Sequence, residues 1–321
     1  MTLSFSGLAA VTWLRAAIDG TLRLDDDARW SARTIGLLVV FGVFAAIACV
    51  HYFRLVRSAE AMGTSRLRAG AILLHLVAAT ALPVTCDDVF AYIAHGREIR
   101  AGLNPYLVGP NALGAADPIV TYVSAWWRDA PTVYGPLANL VAYAATGARS
   151  VLAAMVALKV VALMTAILSV LVAAEVCRGR GESGARTLAA FAFNPLLAWE
   201  ISGQAHNDGW VVLALVVFVA FARAGHSWRA FAALTFGLHI KLAVIPVLGL
   251  FLVLQWRTAR RRACAMAAVS MLIAALLYLP YWAGLATLRG PLSGAGGDVR
   301  HVTRSILDLA LLVSEPLGRS A

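Results

Sequence analysis

The stretch Cys86-Asp87-Asp88-Val89-Phe90-Ala91-Tyr92-Ile93-Ala94-His95-Gly96-Arg97, running on to Asn104-Pro105-Tyr106, decides how the chain is read. It follows an apolar run directly, so two carboxylates stand where a membrane helix ought to be emerging. Taken as a helix, it places Asp88, Tyr92 and His95 on one face at i, i+4 and i+7, while Val89, Phe90, Ile93 and Arg100 share another. That is an amphipathic helix with an acid, a phenol and an imidazole on its polar side. Gly102 and the Asn104-Pro105 pair end it, because proline lacks the amide donor and pushes its predecessor towards extended backbone. A carboxylate forced to the bilayer centre costs roughly 2.5–3.5 kcal/mol. Acids at this border therefore point to function, and the plainer alternative is a solvated loop start with a helix-capping Asp.

Composition places the stretch in a membrane. Of 321 residues, 60% are hydrophobic and 14% charged, whereas a soluble domain carries about a quarter charged residues. Apolar runs of spanning length recur from Ile35 onwards, so the chain reads as an all-α, polytopic membrane protein. The net charge of +10 is then a matter of position, since basic residues settle on the cytoplasmic side. Nucleic-acid binding is excluded as a reading, because the arginines lie between apolar runs and no soluble basic domain exists to carry it. Cys49, Cys86, Cys177 and Cys264 fall in separate segments with neither metal spacing nor a disulfide framework, and read as helix filler. Phe5 to Ile18 is apolar, short and unpreceded by basic residues, which predicts no cleavable signal peptide. With the acidic run Asp25-Asp26-Asp27 it forms an N-terminal interfacial segment, 1–34, ahead of a transmembrane domain over 35–321.

Spans are expected at about 35–53, 69–85, 149–176, 187–204, 209–223, 229–240, 242–256 and 263–283, with a last apolar piece from Ser305 to Val313. Arg54, Arg57, Arg66 and Arg68 mark one cytoplasmic loop, and Arg257, Arg260, Arg261 and Arg262 the strongest one. The region 86–148 holds Asp87, Asp88, Glu98, Asp117 and Asp129 against Arg97, Arg100 and Arg128, so it lacks a basic excess and suits the outer face. Within it, Ala138 to Thr146 is too short to span and reads as a second helix lying in the interface.

Under this topology the Asp87/Asp88 helix, the break at His206-Asn207-Asp208 and Lys241 fall on one outer side. Lys241 and Arg97 could neutralise a phosphate, and a carboxylate could orient or deprotonate an attacking hydroxyl. Each has a plainer alternative: His206-Asn207-Asp208 as a turn capping the next helix, Lys241 as a snorkelling side chain, and Trp126, Trp127 and Tyr134 as interfacial aromatics. No one of these residues is specific; their agreement on one side carries the reading.

Three blocks resemble a known family. Asp88-x-x-x-Tyr92-x-x-x-Gly96, Gly102-Leu103-Asn104-Pro105-Tyr106 and Tyr134-Gly135-Pro136-Leu137 are similar to the first outer loop of bacterial GT-C mannosyltransferases of the α-1,6 type. Phe193-Asn194-Pro195-Leu196, Glu200 and Gly203-x-x-His206-Asn207-Asp208 match the next block, and the Lys241 stretch resembles a later membrane-embedded lysine. The resemblance covers about residues 80–290 and is more specific for fold and donor than for sugar or acceptor. It implies a GT-C-like transmembrane helix bundle with interfacial helices in the large outer loop 86–148. It also implies a multi-pass enzyme of the bacterial cytoplasmic membrane, its active site on the outer side.

By position Asp88 matches the family acid that activates the acceptor hydroxyl, with Asp87 the alternative. Tyr92, His95, Arg97, Asn104, Tyr106, Tyr134, His206, Asn207, Asp208 and Lys241 are expected to bind substrate. The implied donor is a polyprenyl-phosphate-linked sugar, most readily mannose, and the acceptor a glycan or lipid hydroxyl. A divalent metal is compatible with the chemistry and not required by it. Longer members of the family continue beyond the region matching residue 300, which leaves acceptor choice open. Two other classes compete: a catalytically silent relative that binds lipid-linked sugar, and a lipid or solute transporter. Transporters place ionisable groups at the midplane of repeated halves, and here the acids cluster at one face and no repeat is visible.

Overall fold

The computed structural model describes residues 1–19, 32–83, 86–147 and 150–293. The acidic run at Asp25 and the apolar piece from Ser305 lie outside the described residues. The protein is an all-α polytopic membrane protein, with no β-strand among the described residues. Among the described residues its α-helices are α1 (Thr2–Asp19), α2 (Ala32–Ser58), α3 (Thr64–Ala79), α4 (Asp88–Arg100), α5 (Ile119–Tyr122), α6 (Pro136–Ala145), α7 (Val151–Cys177), α8 (Gly181–Ala192), α9 (Pro195–Leu197), α10 (Asp208–Arg223), α11 (Ser227–Leu238), α12 (Ile245–Thr258), α13 (Arg260–Tyr278) and α14 (Arg289–Ser293).

Among the described residues, three stretches are long and apolar enough to cross a membrane: Val39–Ala61, Val151–Cys177 and Arg260–Tyr281. They overlap the first, third and last of the expected spans, the first running on past residue 53 through Arg54 and Arg57, which were expected in a loop. The others fold as shorter helices of 12 to 16 residues. At 1.5 Å per residue such a helix reaches about 18–24 Å, short of a hydrocarbon core of about 30 Å. The expected span 187–204 is broken outright: α8 stops at Ala192, and Asn194 caps the short α9 with Pro195 at its first position. A π-helical turn over Ala198–Gly203 follows.

Two apolar cores result. One joins Phe5, Leu67, Leu74, Val170 and Leu188, and so ties α1 to α2, α3, α7 and α8. Thus α1 is packed along one side, with Phe5 and Leu8 buried and the Trp13 Nε1–H donating to the Thr80 carbonyl at 2.8 Å. The second core gathers Phe90, Ile93, Ile119, Met155, Leu158, Trp210, Leu234 and Ile240 around α4.

Helix α4 departs from the amphipathic expectation in one respect. Every residue from Val89 to Gly96 is buried, His95 included, so its polar face is turned into protein and not towards water. The reason lies partly in Gly96, where a Cβ would sit 2.5 Å from the Ala142 carbonyl oxygen. Only glycine lets α4 and α6 approach so closely.

Candidate active site

The adjacent acids at the start of α4 turn to different partners. Asp87 precedes the helix, and its Oδ2 accepts a hydrogen bond from the Ser124 N–H at 2.7 Å, pinning the loop after α5. Asp88 opens the helix, and its Oδ2 meets three donors from three segments. Tyr134 O–H lies at 3.2 Å, Tyr92 O–H at 3.4 Å and His206 Nδ1 at 3.4 Å. Tyr92 sits one turn along α4, and Tyr134 stands just before α6 with its ring edge-on to that of Tyr92, centroids 4.9 Å apart. Burial pushes both phenols well above their ordinary pKa, helped at Tyr92 by Tyr134 and Asp88 and at Tyr134 by Asp88, so they stay protonated as donors.

The His206 imidazole is shared. Besides Asp88 it faces Glu200 Oε2 at 3.3 Å through Nε2 and Asp208 Oδ2 at 3.7 Å through Nδ1. Burial works against its charged form, but the hydrogen bond to Asp208 and the three carboxylates outweigh it and raise its pKa above 6.5. Lys241 closes the cluster, its Nζ 2.8 and 2.9 Å from the two oxygens of Asp208. Asp208 is drawn down to about 2: burial resists, and the bonds from His206 and Lys241 with their charges prevail. Asn207 donates its backbone N–H to the Tyr92 oxygen at 3.3 Å, while its buried side-chain amide has no hydrogen-bond partner among the described residues.

The local backbone explains why these groups meet. The π turn carries Glu200, the chain reverses at Ala205 with φ 62°, and α10 starts at Asp208 with its N-terminus facing the cluster. A wide π turn and a left-handed non-glycine residue are both features that cluster at functional sites. From the far side, the Gly135 N–H bonds the Ile240 carbonyl at 2.8 Å and the Leu137 N–H bonds the His239 carbonyl at 3.0 Å. That pairing carries Tyr134 up to the Lys241 loop.

Other residues expected to bind substrate occupy different places. His95 lines a narrow cleft with Asp88, Ala91, Trp127 and Tyr134, and its Nδ1 pairs with buried Glu98 at 3.0 Å. Arg97 forms an ion pair with Asp117. The Asn104 side chain bonds the Tyr281 carbonyl at 2.7 Å and the Tyr106 N–H at 3.1 Å, and Tyr106 O–H bonds the Tyr134 carbonyl at 3.2 Å. Asn104 and Tyr106 thus brace the backbone of Tyr134 from behind. Sequence reasoning gave no role to Glu98 or Lys159, and none to Glu200 beyond its place in a motif. The visible signal for Lys159 was a charge inside the apolar run of α7.

Cys86, Asp88 and His206 bring three ligand-type atoms within 4.8 Å of one another. Burial and the neighbouring Asp88 push the half-buried Cys86 thiol up, and the carboxylates around His206 raise its pKa. An ion held by this trio would have to displace the Cys86 and His206 protons.

A carboxylate steadied by two phenols and an imidazolium, beside a lysine–aspartate pair, is equipped to accept a proton from a hydroxyl and to meet an anion. The chain is 28% identical over 232 residues to alpha-(1->6)-mannopyranosyltransferase A of Mycobacterium tuberculosis, covering 69% of this chain and 44% of that protein. It is 29% identical over 146 residues to a second alpha-(1->6)-mannopyranosyltransferase of the same organism, 44% of this chain and 25% of that one. A probable alpha-(1->6)-mannopyranosyltransferase of Mycolicibacterium smegmatis is 26% identical over 210 residues, covering 64% of this chain and 37% of that protein. The chain thus spans less than half the length of these curated relatives. No solved structure matches it. Residues 5–258, which hold the whole cluster from Asp88 to Lys241, match the profile of the family described as alpha-(1->6)-mannopyranosyltransferase, N-terminal domain, and the chain belongs to that family.

Proposed function

We propose that this protein transfers a mannosyl group from a polyprenyl-phosphate donor to an acceptor hydroxyl, at the outer face of the cytoplasmic membrane, on a GT-C-type bundle. The observation that carries the reading is the convergence on Asp88 of Tyr92, Tyr134 and His206, from three segments of a family whose named members are mannosyltransferases. In the proposed step the acceptor oxygen forms a bond to the anomeric carbon as the bond to the phosphate oxygen breaks. Asp88 takes the hydroxyl proton, and polyprenyl phosphate leaves with the bonding electron pair. Tyr92 and Tyr134 orient the Asp88 carboxylate. Lys241 and the His206 imidazolium supply positive charge beside it, where a phosphate gaining charge is stabilised. Arg97, engaged with Asp117, is left out of this step.

Charge placement supports the outer-face assignment. From Lys241, helix α12 runs 14 residues, about 21 Å at 1.5 Å per residue, to the Arg257 and Arg260–Arg262 cluster. Helix α10 likewise starts at the cluster and ends at Arg223. Basic residues favour the cytoplasmic side, which supports reading the cluster as facing the other. Lipid and a lipid-linked sugar are then its neighbours, with a glycan or lipid acceptor arriving from outside.

The test is transfer from radiolabelled polyprenyl-phosphate mannose to a membrane acceptor extract by purified wild type, Asp87→Asn and Asp88→Asn, with melting temperatures measured alongside. Asp88→Asn should lose activity by about 100-fold or more, the usual scale for a general base, while Asp87→Asn keeps most of it. Absence of transfer by wild type across a panel of polyprenyl-phosphate sugars would overturn the enzyme and favour a silent lipid-sugar binder.

A further inference from the structure

Helix α7 is an apolar span with a buried lysine within its first three turns. Lys159 is 8% exposed and, among the described residues, forms no ion pair. A charge inside a spanning helix is retained where it has a partner and a task. Its partners are two carbonyl oxygens: Nζ donates to Ser202 O at 3.3 Å and to Gly203 O more closely still. Those are the last carbonyls of the π turn, where the negative end of the helix dipole lies and no further helical turn supplies donors. The His75 Nδ1, 2.8 Å from Ser202 Oγ, holds the same residue from α3.

Directly after this clamp the backbone enters an unfavoured conformation. Among the described residues Ala205 is the one non-glycine with positive φ, 62°, and it immediately precedes His206. The His206 N–H returns to the Glu200 carbonyl at 3.0 Å, so the turn folds back on itself. Such a conformation persists where its surroundings over-determine it. The surroundings here are Lys159 on one side, and on the other the groups around the imidazole: Asp88 from α4, Glu200 from the π turn and Asp208 from α10.

We propose that Lys159 is a positioning residue: by holding the Ser202 and Gly203 carbonyls it fixes the reversal at Ala205 and keeps His206 between Asp88, Glu200 and Asp208. It acts through the backbone of the π turn and touches none of the reacting groups. Its effect on turnover rests on the mannosyltransferase reading above; its effect on His206 does not.

The experiment compares wild type with Lys159→Met, Lys159→Gln and Lys159→Arg. Two readouts are taken besides melting temperature: kcat and KM for transfer, and the pH dependence of His206 carbethoxylation by diethyl pyrocarbonate, followed by peptide mass spectrometry. The reagent attacks neutral imidazole, so its rate reports the His206 protonation midpoint. Lys159→Met should lower kcat by about 10- to 100-fold with KM within about twofold, the scale expected when a reacting constellation shifts by about 1 Å. Its His206 midpoint should fall from above 6.5 towards that ordinary value. Lys159→Gln, which keeps a donor without the charge, should fall between, and Lys159→Arg should restore both readouts in part.

A Lys159→Met or Lys159→Gln protein that melts with wild type and keeps both kcat and the His206 midpoint overturns the proposal. So does failure of all three variants to fold, which would make Lys159 a residue of the fold alone. If wild type transfers no sugar, the mannosyltransferase reading fails, and the carbethoxylation midpoints still decide the role of Lys159.

Discussion

Asp87 and Asp88 are neighbours in the chain that work in different neighbourhoods, the first bonded to the Ser124 N–H at 2.7 Å and the second to Tyr134 O–H at 3.2 Å. Asp87 therefore tethers a loop and Asp88 anchors the polar cluster. Removing a charged acceptor from a backbone N–H costs about 1.5–3 kcal/mol. Asp87→Ala should lower the melting temperature with that magnitude while retained activity per folded molecule stays near wild type. Thermal melts and specific activity on the same preparations check this, and a loss of turnover at unchanged stability would move the reactive role to Asp87.

Tyr134→Phe removes one of the phenols that orient Asp88 and leaves the aromatic packing against Tyr92 in place. A net hydrogen bond to a charged group is worth about 1.5–3 kcal/mol, which corresponds to a fall in kcat of roughly 10- to 100-fold if the bond matters in the transition state. Steady-state kinetics of Tyr134→Phe and Tyr92→Phe measure it. Equal kcat values for the variants and wild type would remove the phenols from the reaction.

His206 and Asp208 give stability opposite pH dependences. The His206 imidazolium is stabilised by its carboxylates, so that contribution is in force below its ordinary pKa of 6.5 and is lost as pH climbs through the raised value. Asp208, ordinarily near 3.8 and drawn down to about 2, contributes above its ordinary value and loses that contribution as pH falls towards 2. Wild type should lose melting temperature on going from pH 6 to pH 9 relative to His206→Gln. Parallel curves for the two proteins would show that the cluster does not hold the proton.

Gly135 is a steric requirement, because a Cβ there would stand 2.1 Å from the His239 carbonyl oxygen. Gly135→Ala must break the Gly135–Ile240 and Leu137–His239 backbone pairing and move Tyr134 away from the Lys241 loop. Losses from overpacking run to about 1–3 kcal/mol, and activity should fall with stability. Gly249→Ala, where nothing lies within 4 Å of the added carbon, is the matched control and should be neutral or slightly stabilising in mid-helix. Fluorescence-detected melts of both variants separate the two cases.

Much of this was legible in the sequence, for reasons that are local. Hydropathy showed a helical membrane protein, because a bilayer demands long apolar segments whose backbone bonds are satisfied within them. Helical spacing set Asp88 and Tyr92 one turn apart on one face, and proline and glycine marked where α4 ends. The motif around His206-Asn207-Asp208 identified a break, since charged residues do not continue a span without cause.

Tertiary structure decided the rest. Hydropathy windows cannot show that Asn194 and Pro195 divide an apolar run into α8 and a π turn, nor that most spans are too short to cross alone. Separating the surroundings of Asp88 from those of Asp87 required knowing which acid faces Tyr134, 46 residues further along the chain, and which faces Ser124. Arg97, Asn104 and Tyr106 were equally good candidates by sequence, and the structure shows them bonded to Asp117, the Tyr281 carbonyl and the Tyr134 carbonyl. The sequence by itself determined which segments are helical and apolar, because propensity and periodicity act within a few residues. Which polar side chains meet was decided only by packing, through contacts such as Gly96 against Ala142 and Gly135 against His239. Those contacts depend on the shapes of surfaces far apart in the chain.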